Sequence, residues 1–255
     1  MLGLASKSVV PVRKEPNETT EMVNQLLFGE KVSVLETYKQ WLRIESTLDS
    51  YHGWVDSRLI EIIKDDTDLN SLNDYIINDW LVEVKDLSNS SNLLLSPGSF
   101  LYKPVNNRFK LYEQEFEIQN SSITNAPPTA ENLIKTALRF LNVPYLWGGK
   151  SIFGIDCSGF VQVCYRTIGK FLPRDAWQQA KHGQTIEFSN YATAGDLAFF
   201  DNEEGQITHT GILISPNEII HSSGYVRIDK FDHLGIFNNQ LGEYTHKLRI
   251  IKRLL

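Results

Sequence analysis

Three residues have the types and settings for nucleophilic chemistry. Cys157 stands in Gly154-Ile155-Asp156-Cys157-Ser158-Gly159-Phe160 and opens a helical pattern with apolar positions at Phe160, Val161, Cys164 and Ile168. At the first turn of a helix, unpaired N–H groups and the helix dipole favour an anion, which would stabilise a thiolate. The same groups could hold an oxyanion later in a reaction. Cys157 also lies on the apolar stripe of its own helix, so a plain core residue fits the pattern equally well. Cys164, mid-helix on that stripe, reads as core.

A cysteine nucleophile needs a base. Of six histidines, His52, His182, His233 and His246 read as strand-end or surface polar residues, whereas His209 and His221 have telling places. His209 opens the apolar run THTGILI, His221 closes NEIIH, and Ser215-Pro216-Asn217 supplies a turn between them. That is an antiparallel hairpin with the two imidazoles opposite or nearly opposite on one face, about 5 Å apart at Cβ. One ring could then accept the thiol proton while the other orients it. Cys157, His209 and His221 also match the three-ligand count of a catalytic zinc, but there is no CxxC or HxxxH pair, and no metal is expected.

Elements must place these groups. After the polar stretch NSSITNAPPT (120–129) a helix is predicted over about 129–141, with Thr129 as N-cap and Leu133, Ile134, Ala137, Leu138 and Leu141 on one face, ending before Pro144. Further helices are predicted at about 157–168 and 175–182. Strands follow at Leu197–Phe200, Thr210–Ile214, Glu218–His221, Tyr225–Ile228 and Lys247–Lys252. Helices followed by a run of strands give an α+β domain. Tyr145-Leu146-Trp147-Gly148-Gly149-Lys150 reads as a loop where the backbone comes close to a ligand, with Tyr145 and Trp147 as contact candidates. Asp175 begins the third helix, as an N-cap or as a carboxylate facing a substrate amine.

Upstream, the first 63 residues are patterned as short strands broken by turns, a small barrel. Residues 64–80 are polar and acidic, a linker or short helix. A second β-rich stretch, about 81–119, has a turn at Asn106-Asn107. The domain reading is therefore a barrel at 1–63, a second β-rich module and linker at 64–125, and an α+β domain at 126–255.

Composition sets the bounds. The chain has 255 residues, 42% apolar and 22% charged, with net charge −6, ordinary for a globular protein and unsuited to a phosphate-driven nucleic-acid binder. Cys157 and Cys164 would lie about 10 Å apart on one helix, too far for a disulfide. Free thiols, and an N-terminus without an apolar signal core, give a cytoplasmic expectation, or a periplasmic or secreted one if a signal was trimmed. No stretch is long and apolar enough to suggest a membrane helix.

The segments YLWGGKSIFGIDCSGFVQ, LPRDAWQQA, AGDLAFF, HTGILI and EIIH, in that order, resemble the NlpC-type family of bacterial cell-wall cysteine peptidases over about residues 129–252. The resemblance implies a papain-like fold, with Cys157 as nucleophile, His209 as general base and His221 as the residue that orients it. Tyr145 matches the family tyrosine near the nucleophile, and Asp156 and Ser158 match its flanking positions in the substrate cleft. With one or two bacterial SH3-like barrels in front, the arrangement is similar to the γ-D-glutamyl-L-diamino acid endopeptidases of the dipeptidyl-peptidase VI type. That subgroup implies a murein peptide with a free N-terminal L-Ala as substrate and no cofactor; a monomer is expected, with the oligomeric state left open by the sequence. Asp175 would hold the substrate amine, with Glu30 in FGEKV and Tyr51 in YHGW as the barrel's contributions. Ala176 stands where a serine is frequent in the subgroup, which leaves one substrate contact open without touching the chemistry. A broader wall hydrolase or amidase with anchoring modules, a wall-binding protein with a degenerate site, and an acyl transferase are the competing readings.

Overall fold

The computed structural model describes residues 1–63, 74–120 and 126–255. Most of the linker or short helix expected at 64–80, and part of that at 120–129, lies outside the described residues. The chain forms two compact units, Met1–Asn125 and Ala126–Leu255.

The first unit is all β. Strands β1 (Leu2–Ala5), β2 (Val9–Arg13), β3 (Met22–Leu27), β4 (Lys31–Tyr38), β5 (Trp41–Ser46), β6 (His52–Asp56) and β7 (Ile60–Ile63) form an antiparallel sheet in the order β3-β2-β6-β5-β4-β1-β7. This is the SH3-like barrel. Its alternating residues Val10, Val12, Val32, Ile44 and Val55 share one core. Then come β8 (Asp74–Ile76), β9 (Val82–Asp86), β10 (Asn92–Leu95), β11 (Phe100–Tyr102), β12 (Arg108–Leu111) and β13 (Gln114–Ile118). β8 pairs with β11, and the others form the sheet β10-β9-β13-β12. The Asn106-Asn107 turn is present, both residues left-handed at φ 50° and 62°, as a tight hairpin turn requires. The second core takes in Leu4, Phe28 and Ile63 from the first set of strands beside Val84, Phe109 and Phe116. This sharing makes one compact unit of two β-rich stretches.

The second unit is α+β. It contains α1 (Ala130–Arg139), β14 (Lys150–Ser151), β15 (Gly154–Ile155), α2 (Cys157–Thr167), α3 (Ala176–Gln179), β16 (Gln184–Ile186), β17 (Leu197–Asp201), β18 (Ile207–Ser215), β19 (Glu218–Ser223), β20 (Tyr225–Phe231), β21 (Gly235–Asn238) and β22 (Glu243–Arg253). The main sheet runs β16-β22-β17-β18-β19-β20-β21, and β21 also pairs with β22, closing it on itself. Phe200, Leu213, Ile219, Phe231, Ile236 and Ile251 fill its core. α2 packs on β18 and β19.

Two helices differ from expectation. Thr129 caps α1, its side chain accepting from the Asn132 N–H. The buried face, however, is Leu133, Thr136, Ala137 and Phe140, while Leu138 and Leu141 are exposed. Thr136 takes a core position because its hydroxyl meets that of Thr167 on α2, 3.3 Å away. α3 ends at Gln179, earlier than predicted, and Gly183 then turns the chain at φ 80°. All eleven residues of α2 are buried. The apolar stripe on one face is thus only part of its packing; a helix buried all round is a core element.

Candidate active site

Asp156 starts α2. Its backbone is extended, and its Oδ1 accepts from the Gly159 N–H at 2.7 Å, a side-chain N-cap. Oδ2 accepts from the Gly148 N–H at 2.9 Å. The Arg174 guanidinium donates to both oxygens, Nη1 to Oδ1 at 3.0 Å, and Nη1 also donates to the Ser158 hydroxyl at 2.9 Å. The Ser158 hydroxyl donates to Asp156 Oδ1 at 3.3 Å. Arg174, Asp156 and Ser158 are all buried. A carboxylate offers about four lone-pair sites, and these donors fill them. Asp156 and the Ser158 side chain therefore hold the helix start.

The double glycine has a similar role. A Cβ on Gly149 would lie 2.5 Å from the Gly154 carbonyl, and one on Gly159 would lie 2.3 Å from the Gly149 carbonyl. Close backbone approach occurs here, but between the loop and α2. Gly148 adopts φ 74° so that its N–H reaches Asp156. In the same loop Trp147 is 61% exposed, so it is available to a ligand. Tyr145 is half-buried, tied by its N–H to the Gly224 carbonyl at 2.9 Å. Burial and the nearby Cys157 and Asp156 push its phenol up, leaving a neutral O–H donor near the thiol.

Cys157 is 7% exposed. Its Sγ donates weakly to the Thr208 carbonyl at 3.9 Å and lies beside the Thr210 N–H. The thiol is thus lodged against the β18 backbone on both sides of His209. Burial and the Asp156 charge push it up to about 12, against the opposing pull of the Thr210 and Ser158 N–H groups and Arg174. Burial thus opposes the helix terminus at this thiol. His209 and Cys157 are not hydrogen-bonded to each other among the described residues.

His209 and His221 are on one face, as the hairpin required, but in a diagonal pairing: His221 stands opposite Gly211. His209 Nε2 lies 2.8 Å from His221 Nδ1. Gly211 makes this possible, since a Cβ there would come within 2.8 Å of the His221 Cβ. His221 Nε2 lies 2.9 Å from Asp229 Oδ2, which also accepts from Arg227 Nε at 2.8 Å. The His246 ring stacks on His209 with centroids 4.1 Å apart. Burial drives His209 well down, and neighbouring His221 and His246 add to this. His221 is also lowered by burial, against the pull of Asp229. Burial lowers His246 to about 4. A groove of about 890 Å³ runs past His246 and Thr208, with Asp201, Glu203 and Lys247 on its walls. Among the described residues no cluster of His, Cys, Asp and Glu suits a metal ion.

The arrangement can carry out acyl transfer through sulfur. Residues 142–244 match the NlpC/P60 family, and residues 12–59 match the bacterial dipeptidyl-peptidase SH3 domain. The chain is 33% identical over 214 residues to a γ-D-glutamyl-L-lysine dipeptidyl-peptidase of Bacillus subtilis, covering 78% of this chain and 71% of the relative. The chain belongs to the NlpC/P60 family. It is a cysteine peptidase with a papain-like catalytic unit. A Bacillus cereus relative of the same printed name is 26% identical over 225 residues, 79% of this chain and 67% of that one. An NlpC/P60 crystal structure from Bacillus cereus superposes with a TM-score of 0.84 at 19% identity over 99% of both chains, a likeness of fold.

The NlpC/P60 unit thus gathers Cys157, His209, His221, Tyr145, Asp156 and Ser158. Asp175 is the N-cap of α3 and closes a capping box in which its N–H donates to the Gln178 side chain at 3.2 Å. Glu30 and Tyr51 belong to the first unit. Glu30 is buried and its Oε1 accepts from the Leu27 N–H at 3.1 Å, closing the β3–β4 turn. The Tyr51 hydroxyl donates to the Val23 carbonyl at 3.4 Å. Asp229, Arg174 and His246 were not anticipated. The hairpin count that aligned the histidines finds Asp229 too: pairing around the Gly224 turn sets His221 against Arg227, and Asp229 lies two residues on. His246 carries no local signal.

Proposed function

We propose that this enzyme hydrolyses the bond between γ-D-glutamate and a diamino acid in free murein peptides that begin with L-Ala, a cytoplasmic recycling step. The observation that carries this reading is the buried thiol at the start of α2, lodged on β18 beside the paired histidines, in a chain 33% identical to the B. subtilis γ-D-glutamyl-L-lysine dipeptidyl-peptidase.

His209 takes the Cys157 proton as sulfur attacks the γ-carbonyl carbon of D-Glu. The oxyanion meets backbone N–H groups at the start of α2 and the neutral Tyr145 hydroxyl. Protonated His209 then gives its proton to the leaving amine. The leaving residue lies on the histidine side of the scissile bond, where the groove past His246 offers Asp201, Glu203 and Lys247. That mixture of charges suits a diamino acid, which carries both an ammonium and a carboxylate. Water activated by His209 hydrolyses the thioester and restores the thiol. Asp175 is assigned to the substrate's N-terminal amine.

The test uses L-Ala-γ-D-Glu-L-Lys and its diaminopimelate counterpart, each also N-acetylated, together with intact sacculi. Cleavage of the free peptides, lost in Cys157→Ala, is the expected result. Equal cleavage of the acetylated forms would remove the amine-recognition claim. Preference for sacculi would make the enzyme a broader wall hydrolase.

A further inference from the structure

The histidine pair does not end at His221. His209 Nε2, His221 Nδ1, His221 Nε2 and Asp229 Oδ2 form one chain of contacts at 2.8 and 2.9 Å. All three side chains are buried, Asp229 at 8% exposure and His221 at 0%. Each neutral imidazole carries a single N–H, and the structure alone does not label which nitrogen has it. The far end of the chain removes the ambiguity. An ionised carboxylate only accepts, so the His221 proton facing it must sit on Nε2. The other His221 nitrogen, Nδ1, is then an acceptor, and the His209 proton facing it must sit on His209 Nε2. The remaining His209 nitrogen, Nδ1, is therefore a bare lone pair, and it makes no hydrogen bond among the described residues.

We infer that Asp229 is a positioning residue that sets the tautomers of both histidines, so that Nδ1 of His209 is the atom that takes the thiol proton. Arg227 secures the arrangement. Its Nε donates to the same Asp229 oxygen at 2.8 Å, and its Nη1 is anchored on the Ser223 carbonyl at 2.8 Å. Among the described residues, Asp229 is hydrogen-bonded by one guanidinium and one imidazole, with the His246 ring near enough to feel its charge. The register fits this role. His221 pairs with Arg227 and Ile219 with Asp229 across β19 and β20, which puts Asp229 diagonal to His221 and on the same face. When His209 gains the thiol proton, Asp229 also supplies a negative charge at the far end of the chain, at no cost in rearrangement. The proton moves only from Sγ to His209 Nδ1; the two inner hydrogen bonds stay as they are.

This inference rests on the peptidase reading for its kinetics, but its primary test needs no substrate. In ¹⁵N-labelled wild-type protein at pH 7.5, both rings should show the Nε2–H tautomer. An Nδ1–H signal on His209 would overturn the assignment. The kinetic arm uses Asp229→Asn, whose amide oxygen can still accept from His221 and Arg227, and Asp229→Leu, which offers no acceptor. Asp229→Asn should keep the tautomers and lose about 10–100-fold in kcat through loss of the charge. Asp229→Leu should mix the tautomers and lose at least about 100-fold in kcat, within the range of general acid–base catalysis. KM should stay within about threefold in both. A kcat for Asp229→Leu within threefold of wild type, or a loss confined to KM, would refute it. Should Asp229→Leu fail to fold, the wild-type spectrum and Asp229→Asn still decide. Absence of any cleavage of free peptide by wild type would overturn the proposed function and leave the tautomer result standing.

Discussion

At Cys157 two opposing effects meet, and their balance sets how the nucleophile is made. A helix N-terminus and the N–H groups of Ser158 and Thr210 favour a thiolate, but burial and the Asp156 carboxylate push the thiol up to about 12. Burial also drives His209 well down. Both shifts oppose a standing thiolate–imidazolium pair, because each penalises one of its charges. With both groups neutral at rest, the thiol would lose its proton to His209 as it attacks, which is general-base catalysis. Alkylation by iodoacetamide reads this directly. With Cys157 high, its alkylation rate should climb steadily between pH 6 and pH 9, as the small thiolate fraction grows about tenfold per pH unit. Cys164, buried in mid-helix, gives a low background that a Cys157→Ala control subtracts. A rate flat across pH 5–8 would mean that the ion pair exists and that this account of the thiol is wrong.

At the scale of elements, α2 is a mount held at its first turn. Asp156 caps it, Arg174 grips the cap from the segment before α3, and Gln179 of α3 donates to the Ser158 carbonyl at 3.0 Å. Removing one partner from a buried ion pair leaves an uncompensated charge, at a cost of about 3–5 kcal/mol. Arg174→Met should therefore lower the urea midpoint, with the slope unchanged, by that energy divided by the slope, and should reduce kcat in the protein that remains folded. An unchanged midpoint would mean that the Asp156 network is not what holds α2. Much of this mount could be read from sequence, because a helix start and a hairpin are local events. Apolar spacing after Cys157 gave the helix, and Ser215-Pro216-Asn217 gave the hairpin that aligned His209 and His221. Sequence reasoning failed where the partner is distant. Nothing near Arg174 says that its guanidinium will meet Asp156. His246 comes to His209 only because β22 crosses beside β17 and closes on β21. The face of α1 was misjudged for a related reason: Thr136 looks like a surface residue until Thr167 supplies its hydrogen-bond partner.

At the scale of the whole molecule, the two units should answer acid differently. The catalytic unit contains His209, His221 and His246, all held neutral chiefly by burial, His246 at about 4. The barrel unit has one histidine, His52, and it is exposed. For the buried three, the folded pKa lies below the unfolded value of 6.5, so between the two the unfolded chain binds more protons than the folded one. Stability then rises with pH across that window and is lost as pH falls from 6.5 toward 4. At pH 5 the loss from His246 alone is about 2 kcal/mol, a large share of the 5–15 kcal/mol that a domain typically has, and His209 and His221 act in the same direction. Below that range Asp229 adds to the loss. Burial alone would raise it, but its His221 and Arg227 donors keep it under 3.8, so its contribution fades only at lower pH. Hydrogen exchange of the full chain at pH 7 and pH 5, corrected for intrinsic rates, separates the units without cutting them. Amides of α2, β18 and β19 should lose protection by a factor of about 30 or more at pH 5, while β4 and β5 of the barrel change little. Equal protection of α2 at the two pH values would show that the three imidazoles are not held neutral by the fold. The neutral base assigned to His209 would fall with them.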